Sequence, residues 1–89
     1  MQDDRGDDQA ARLGRLRWRS RRGMLELELA MKPFVEQRLA DLSRPQQELY
    51  AALLEHDDWD IFDWIQGRAE PEDPAMVELV DAIRDANTP

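Results

Sequence analysis

Met24-Leu25-Glu26-Leu27-Glu28-Leu29-Ala30-Met31-Lys32-Pro33-Phe34-Val35 is the stretch on which the fold class turns. From Leu25 to Leu29 it alternates apolar and acidic residues, the period of a half-buried strand. The residue types argue the other way. Leu, Glu, Met and Ala are good helix formers, and the β-branched residues that favour strands are missing from the alternating part. Met24, Leu27, Met31, Phe34, Val35 and Leu39 also recur at helical spacing. The segment therefore reads as helix over residues 24–42. Pro33 removes an amide donor and crowds the preceding turn, so a kink or break is expected near Met31–Lys32.

Working outward, residues 10–22 read as a shorter helix with Leu13 and Leu16 turned inward. Met24 is a further candidate for that buried side, and Trp18 suits either a core anchor or an exposed contact. Gly23 loosens or ends this helix, since glycine in a helix interior costs about 1 kcal/mol relative to alanine. Downstream, Ser43-Arg44-Pro45-Gln46 is a helix start. Ser43 is the cap, Gln46 closes a capping box, and Pro45 sits in the first turn, where no amide partner is needed. That helix runs to about Glu55 and buries Leu49, Leu53 and either Tyr50 or Leu54. Asp57 or Asp58 caps a fourth helix carrying Ile61, Phe62, Trp64 and Ile65, which Gly67 ends. Asp73 and Pro74 open a fifth, with Met76, Leu79, Val80 and Ile83 as its stripe. The expectation is an all-α single domain: a compact bundle of five helices, or six if Pro33 splits the second, over residues 10–87. Residues 1–9 read as a disordered acidic tail.

Composition narrows the function. The chain has 89 residues, no cysteine, one histidine and a net charge of -8. That suits one modest domain without a disulfide or zinc framework. No secretory leader or membrane span is evident, so the expected location is cytoplasmic, without membrane insertion. The charge is unevenly spread: residues 10–23 hold six Arg and no acid, whereas residues 24–89 hold five bases and sixteen acids. Such asymmetry marks a surface that meets a charged partner.

Chemistry-bearing motifs are scarce. His56 has no second histidine or cysteine to share a metal, and Asp57, Asp58, Asp60 and Asp63 lack the glycine and distal glutamate of a calcium loop. A solvated loop histidine and a helix-capping acidic cluster are the simpler readings. No phosphate-binding glycine loop is present, and Ser20 and Ser43 have no activating histidine. The chain is expected not to be an enzyme and to hold no metal and no tightly bound cofactor. The arginine-rich helix leaves two alternatives open: a solvated basic face paired with acids elsewhere, or a nucleic-acid-binding or antitoxin-type regulator. Around Arg22, Gly23 and Glu26 the residues suit protein docking. Planar donors stand beside a position with no side chain, and Met24 offers an adaptable apolar contact. Arg22 and Glu26, four apart, would also face one another on a continuous helix.

Arg15-Leu16-Arg17-Trp18, Arg21-Arg22-Gly23-Met24-Leu25-Glu26-Leu27, Met31-Lys32-Pro33-Phe34, Leu53-Leu54-Glu55-His56-Asp57-Asp58 and Asp60-Ile61-Phe62-Asp63-Trp64-Ile65 together resemble the SdhE family of FAD assembly factors, or flavinators. The mitochondrial relatives are the second succinate dehydrogenase assembly factor. The resemblance spans about residues 12–86. It implies a helical bundle and a transient complex with the flavoprotein subunit of succinate dehydrogenase, and also that of fumarate reductase. In those clients a histidine attacks the 8α-methyl of FAD. The client performs this chemistry itself while the assembly factor, a monomer when free, holds it in a competent state. The Arg-Gly-x-x-Glu patch carried over is Arg22, Gly23 and Glu26, with Met24 and Arg15 as neighbours touching the partner. Glu28 stands where an aspartate is common in the family.

Overall fold

The computed structural model describes residues 4–88. Five α-helices follow one another: α1 (Asp4–Arg19), α2 (Leu25–Gln37), α3 (Arg44–Leu53), α4 (Asp58–Gln66) and α5 (Pro74–Ala86). There is no strand among the described residues. The Leu25–Leu29 alternation is helical after all. Leu27, Met31 and Phe34 lie buried on one face of α2, while Leu25 and Leu29 are exposed. A strand would have placed Leu25, Leu27 and Leu29 on the same face. Here only Leu27 reaches the core.

Three boundaries differ from the sequence reading. Helix α1 begins at Asp4 rather than near residue 10, so residues 4–9 of the expected tail are helical, and residues 1–3 lie outside the described residues. One contribution is local: Asp8 pairs with Arg12 one turn on, at 2.7 Å, the spacing at which opposite charges meet on a helix. At its other end α1 stops at Arg19, and residues 20–24 form the link to α2. The third difference is at Pro33. Helix α2 passes through it unbroken, ends at Gln37, and is followed by a 3-10 turn at Leu39–Asp41. Burial of Leu27, Met31 and Phe34 on either side of Pro33 outweighs the one backbone hydrogen bond that proline removes.

Helix α3 starts as its sequence specifies. The Ser43 amide donates to Gln46 Oε1 (2.8 Å) and the Gln46 amide to Ser43 Oγ (3.3 Å). Its buried set is Gln47, Tyr50 and Leu53, with Leu54 just beyond; Leu49 is only half-buried. Helix α4 has Asp57 at its N-cap position, but the Asp57 side chain makes no capping bond. Its C-terminus is closed by Gly67 at φ 80°, whose amide reaches the Asp63 and Trp64 carbonyls. Asp73 caps α5 by accepting from the Ala75 amide (3.0 Å), with Pro74 in the first turn.

The core is one cluster in which α2 packs extensively on α5, and α5 also meets α3 and α4. The Phe34 and Tyr50 rings tilt against each other with centroids 5.6 Å apart. Helix α1 adds Leu13 and Leu16 and is tied down by polar contacts. The Tyr50 hydroxyl donates to Ser20 Oγ, whose own proton goes to the Leu16 carbonyl. Gln47 takes a bond from Arg12 Nε (3.2 Å) and gives one to the Leu42 carbonyl (3.1 Å). A buried glutamine is tolerated because both ends of its amide are satisfied.

Two predictions follow from these contacts. Gly67→Ala forces a side chain into a left-handed conformation and brings its Cβ to 3.4 Å from Arg84, so the unfolding free energy should fall by about 1 kcal/mol in a denaturant titration. Burial pushes the Tyr50 hydroxyl up to about 12, against smaller opposing effects of the Ser20 bond and the Arg22 charge. The unfolded chain then loses this proton first as pH rises, so the stability Tyr50 contributes is complete below pH 10 and lost toward about pH 12. Tyr50→Phe should flatten the alkaline fall in melting temperature; an equally steep fall would contradict the assignment.

Candidate functional site

Arg22 lies on the link between α1 and α2, where no helix supplies its neighbours, and its guanidinium gathers three chain segments. Its Nε donates to Asp58 Oδ1 (2.7 Å) at the start of α4. Its Nη1 donates to the carbonyls of Arg19 (3.0 Å) and Leu54 (3.1 Å), the C-terminal ends of α1 and α3. Its Nη2 donates to the His56 carbonyl (3.0 Å) in the α3–α4 turn. The Arg22 and Asp58 side chains are only 14% and 24% exposed. Helix C-termini leave carbonyls without partners, and a cation there is doubly favoured by hydrogen bonding and by the helix dipole. Only a guanidinium has enough donors, suitably spread, for this junction. Arg22 therefore turns inward. It does not pair with Glu26, because the helix ends before Arg22 and the two residues never share a helical face.

Gly23 and Glu26 are the outward half of the motif. Gly23 is exposed, and its backbone is not left-handed. A Cβ placed there would meet nothing within 4 Å. Neither conformation nor internal packing thus calls for glycine at this position. Glu26 is exposed in the first turn of α2 and has no hydrogen bond or ion pair to another side chain among the described residues. Met24 occupies the N-cap position of α2 with extended backbone, half-buried against the core. Its side chain is shared between core and surface. Arg15 stands apart from these: on α1 it lines a hollow with Arg12, Arg19, Arg44 and Gln47, facing α3.

The other charged residues fall into place around this site. Three of the six arginines of residues 10–23 are committed to acids: Arg12 to Asp8, Arg19 to Glu55 (2.9 Å) and Arg22 to Asp58. That leaves Arg15, Arg17 and Arg21 without an ion pair among the described residues. In the acidic segment, Asp58 holds Arg22 and Asp63 lies 3.4 Å from Arg68. The exposed His56 ring meets the Trp64 ring edge-on, with centroids 4.9 Å apart. Sequence reasoning missed the partnership of Arg22 with Asp58 and with the Leu54 and His56 carbonyls. The two sides are more than thirty residues apart, and nothing in the sequence distinguishes Asp58 from three neighbouring aspartates. Trp18, ambiguous in sequence, is 70% exposed, with the Arg21 guanidinium 5.4 Å from its ring centroid.

The two halves of the motif should respond differently to substitution. Arg22→Ala leaves Asp58 and three carbonyls without their donor and should lower the unfolding free energy by about 2–3 kcal/mol. Arg22→Lys should recover only part of this, since an ammonium cannot span the junction. Gly23→Ala should change stability by less than about 0.5 kcal/mol, as expected at an unencumbered surface position. Chemical denaturation of the three variants checks the ranking; a Gly23→Ala loss as large as that of Arg22→Ala would contradict it.

Comparison with known proteins gives the site its context. The family described as flavinator of succinate dehydrogenase matches residues 14–87. The FAD assembly factor SdhE of Pseudomonas putida is 43% identical over 77 residues, covering 86% of this chain and 92% of the relative. That of Photobacterium profundum is 45% identical over 69 residues, covering 78% of each. The Vibrio cholerae protein of the same name is 39% identical over 74 residues, covering 83% of this chain and 86% of its own. These matches run through the Arg22 junction and the exposed Gly23–Glu26 surface alike, and they support the assembly-factor reading over the nucleic-acid one. The chain belongs to the succinate dehydrogenase flavinator family.

Proposed function

We propose that this protein is an assembly factor that binds the flavoprotein subunit of succinate dehydrogenase and promotes covalent attachment of FAD to it. Family membership supports the class of activity. The observation that carries the assignment of the surface is Gly23, a glycine with open space where its Cβ would be and no left-handed backbone to require it. Its use lies outside the molecule: a partner's backbone can approach where any side chain would hold it off. Glu26, exposed three residues on in the first turn of α2, offers a carboxylate to a partner's donors. Met24 adds an adaptable apolar contact.

In this reading the protein acts without catalysis of its own. It accelerates flavinylation by binding one conformation of the client more tightly than others, which raises the population of that conformation by the ratio of the two affinities. FAD is the client's cargo and is not held tightly by this chain. Arg22 serves indirectly, fixing the link so that Gly23 and Glu26 are presented in one orientation. The same surface serves the flavoprotein of fumarate reductase, and the free protein is a cytoplasmic monomer. No helix among the described residues is long and apolar enough to cross a membrane.

Covalent flavin in the client, read by in-gel fluorescence, tests this reading. Gly23→Arg and Glu26→Ala should each cut flavinylation about tenfold or more, the range expected for loss of a central contact, while keeping the parent melting temperature within a few degrees. Full flavinylation by both folded variants would overturn the assignment of this surface.

A further inference from the structure

Beside the Gly23–Glu26 surface lies a shallow hollow of about 360 Å³ between the end of α1 and the flank of α2. Leu25 and Leu29, one helical turn apart, form its apolar wall; they are 62% and 57% exposed. Arg17, Arg21 and Lys32 stand around it, none of them in an ion pair among the described residues. Through Arg21 the patch continues onto Trp18, whose ring the Arg21 guanidinium covers. Three of the four large hydrophobic side chains most exposed on this protein thus belong to one contiguous patch. Burying an exposed leucine is favourable, and a monomer gains nothing by leaving two side by side.

We propose that this hollow receives an acidic segment of the client flavoprotein carrying aliphatic side chains, so that recognition extends from Gly23 along α2 to Leu29. The proposal rests on the function given above. Charge supports the choice of occupant. The chain is net -8, yet residues 10–23 carry only positive charge. Glu28 and Glu36 also touch the rim, but the bases outnumber them. An acidic partner is repelled by most of the molecule and attracted here, which fixes its orientation as it docks. Continuity supports it as well. Arg21 and Leu25 flank the Arg22–Met24 link, so a partner chain lying over Gly23 runs directly into the hollow.

The test measures binding of the purified succinate dehydrogenase flavoprotein by biolayer interferometry. Leu25→Gln/Leu29→Gln removes the apolar wall without adding charge and should weaken binding about tenfold or more, as loss of a buried anchor does. Arg17→Glu/Lys32→Glu should weaken it comparably at low salt and less at high salt. Gly23→Arg serves as the motif control. If Gly23→Arg abolishes binding while the leucine variant binds within about twofold of the parent, the hollow is not part of the interface and the motif assignment stands. A parent that does not bind the flavoprotein overturns both. Charge reversal that leaves binding unchanged or strengthens it overturns the acidic occupant. Self-association in sedimentation that disappears in the leucine variant would make a second copy the occupant instead.

Discussion

The Arg22 guanidinium is the contact on which the arrangement of this surface depends. Helices α1 and α3 both end near it, α4 begins near it, and each leaves backbone groups that need a partner. One side chain meets three of those carbonyls and neutralises Asp58 in the same place. The cost of withdrawing a guanidinium from water is offset because all three of its nitrogens are used. Without that junction the five-residue link from Ser20 to Met24 has little to fix it, since only Ser20 in it is buried.

This division explains how one short motif carries two kinds of requirement. Arginine is needed by the fold, where the donors must be planar and numerous. Glycine and glutamate are not needed by the fold: one has empty space around it and the other has no side-chain partner among the described residues. A residue type that the molecule's own physics does not demand, on an exposed surface, points to something outside the molecule. The surplus charge points the same way. Three of the six arginines of residues 10–23 answer acids within the chain; of the rest, Arg17 and Arg21 lie beside exposed Leu25 and Leu29, and Arg21 covers Trp18.

Much of the fold was legible in the residues because its signals are local. The Ser43–Gln46 capping box, the Asp73–Pro74 start and the Gly67 stop each need only a few neighbouring positions. The α2 face was legible because Leu27, Met31 and Phe34 hold helical spacing across Pro33. What was hidden is long-range. That Gln47 would be buried follows from Arg12, thirty-five residues earlier, meeting its amide. That Arg22 would turn inward follows from where α3 and α4 meet, which no spacing rule reveals. The sequence places Arg22, Gly23 and Glu26 close together along the chain, while the inward role of Arg22 is visible only in three dimensions.

The outward face of the α1–α2 link, anchored from within by Arg22, is the surface proposed above as the docking site for the flavoprotein. Amide hydrogen exchange of this protein, alone and in complex with the succinate dehydrogenase flavoprotein, tests it most directly. Docking on this face should concentrate protection on binding in residues 21–29, with α5 unchanged. Protection centred on α5, or none in the link, would contradict it.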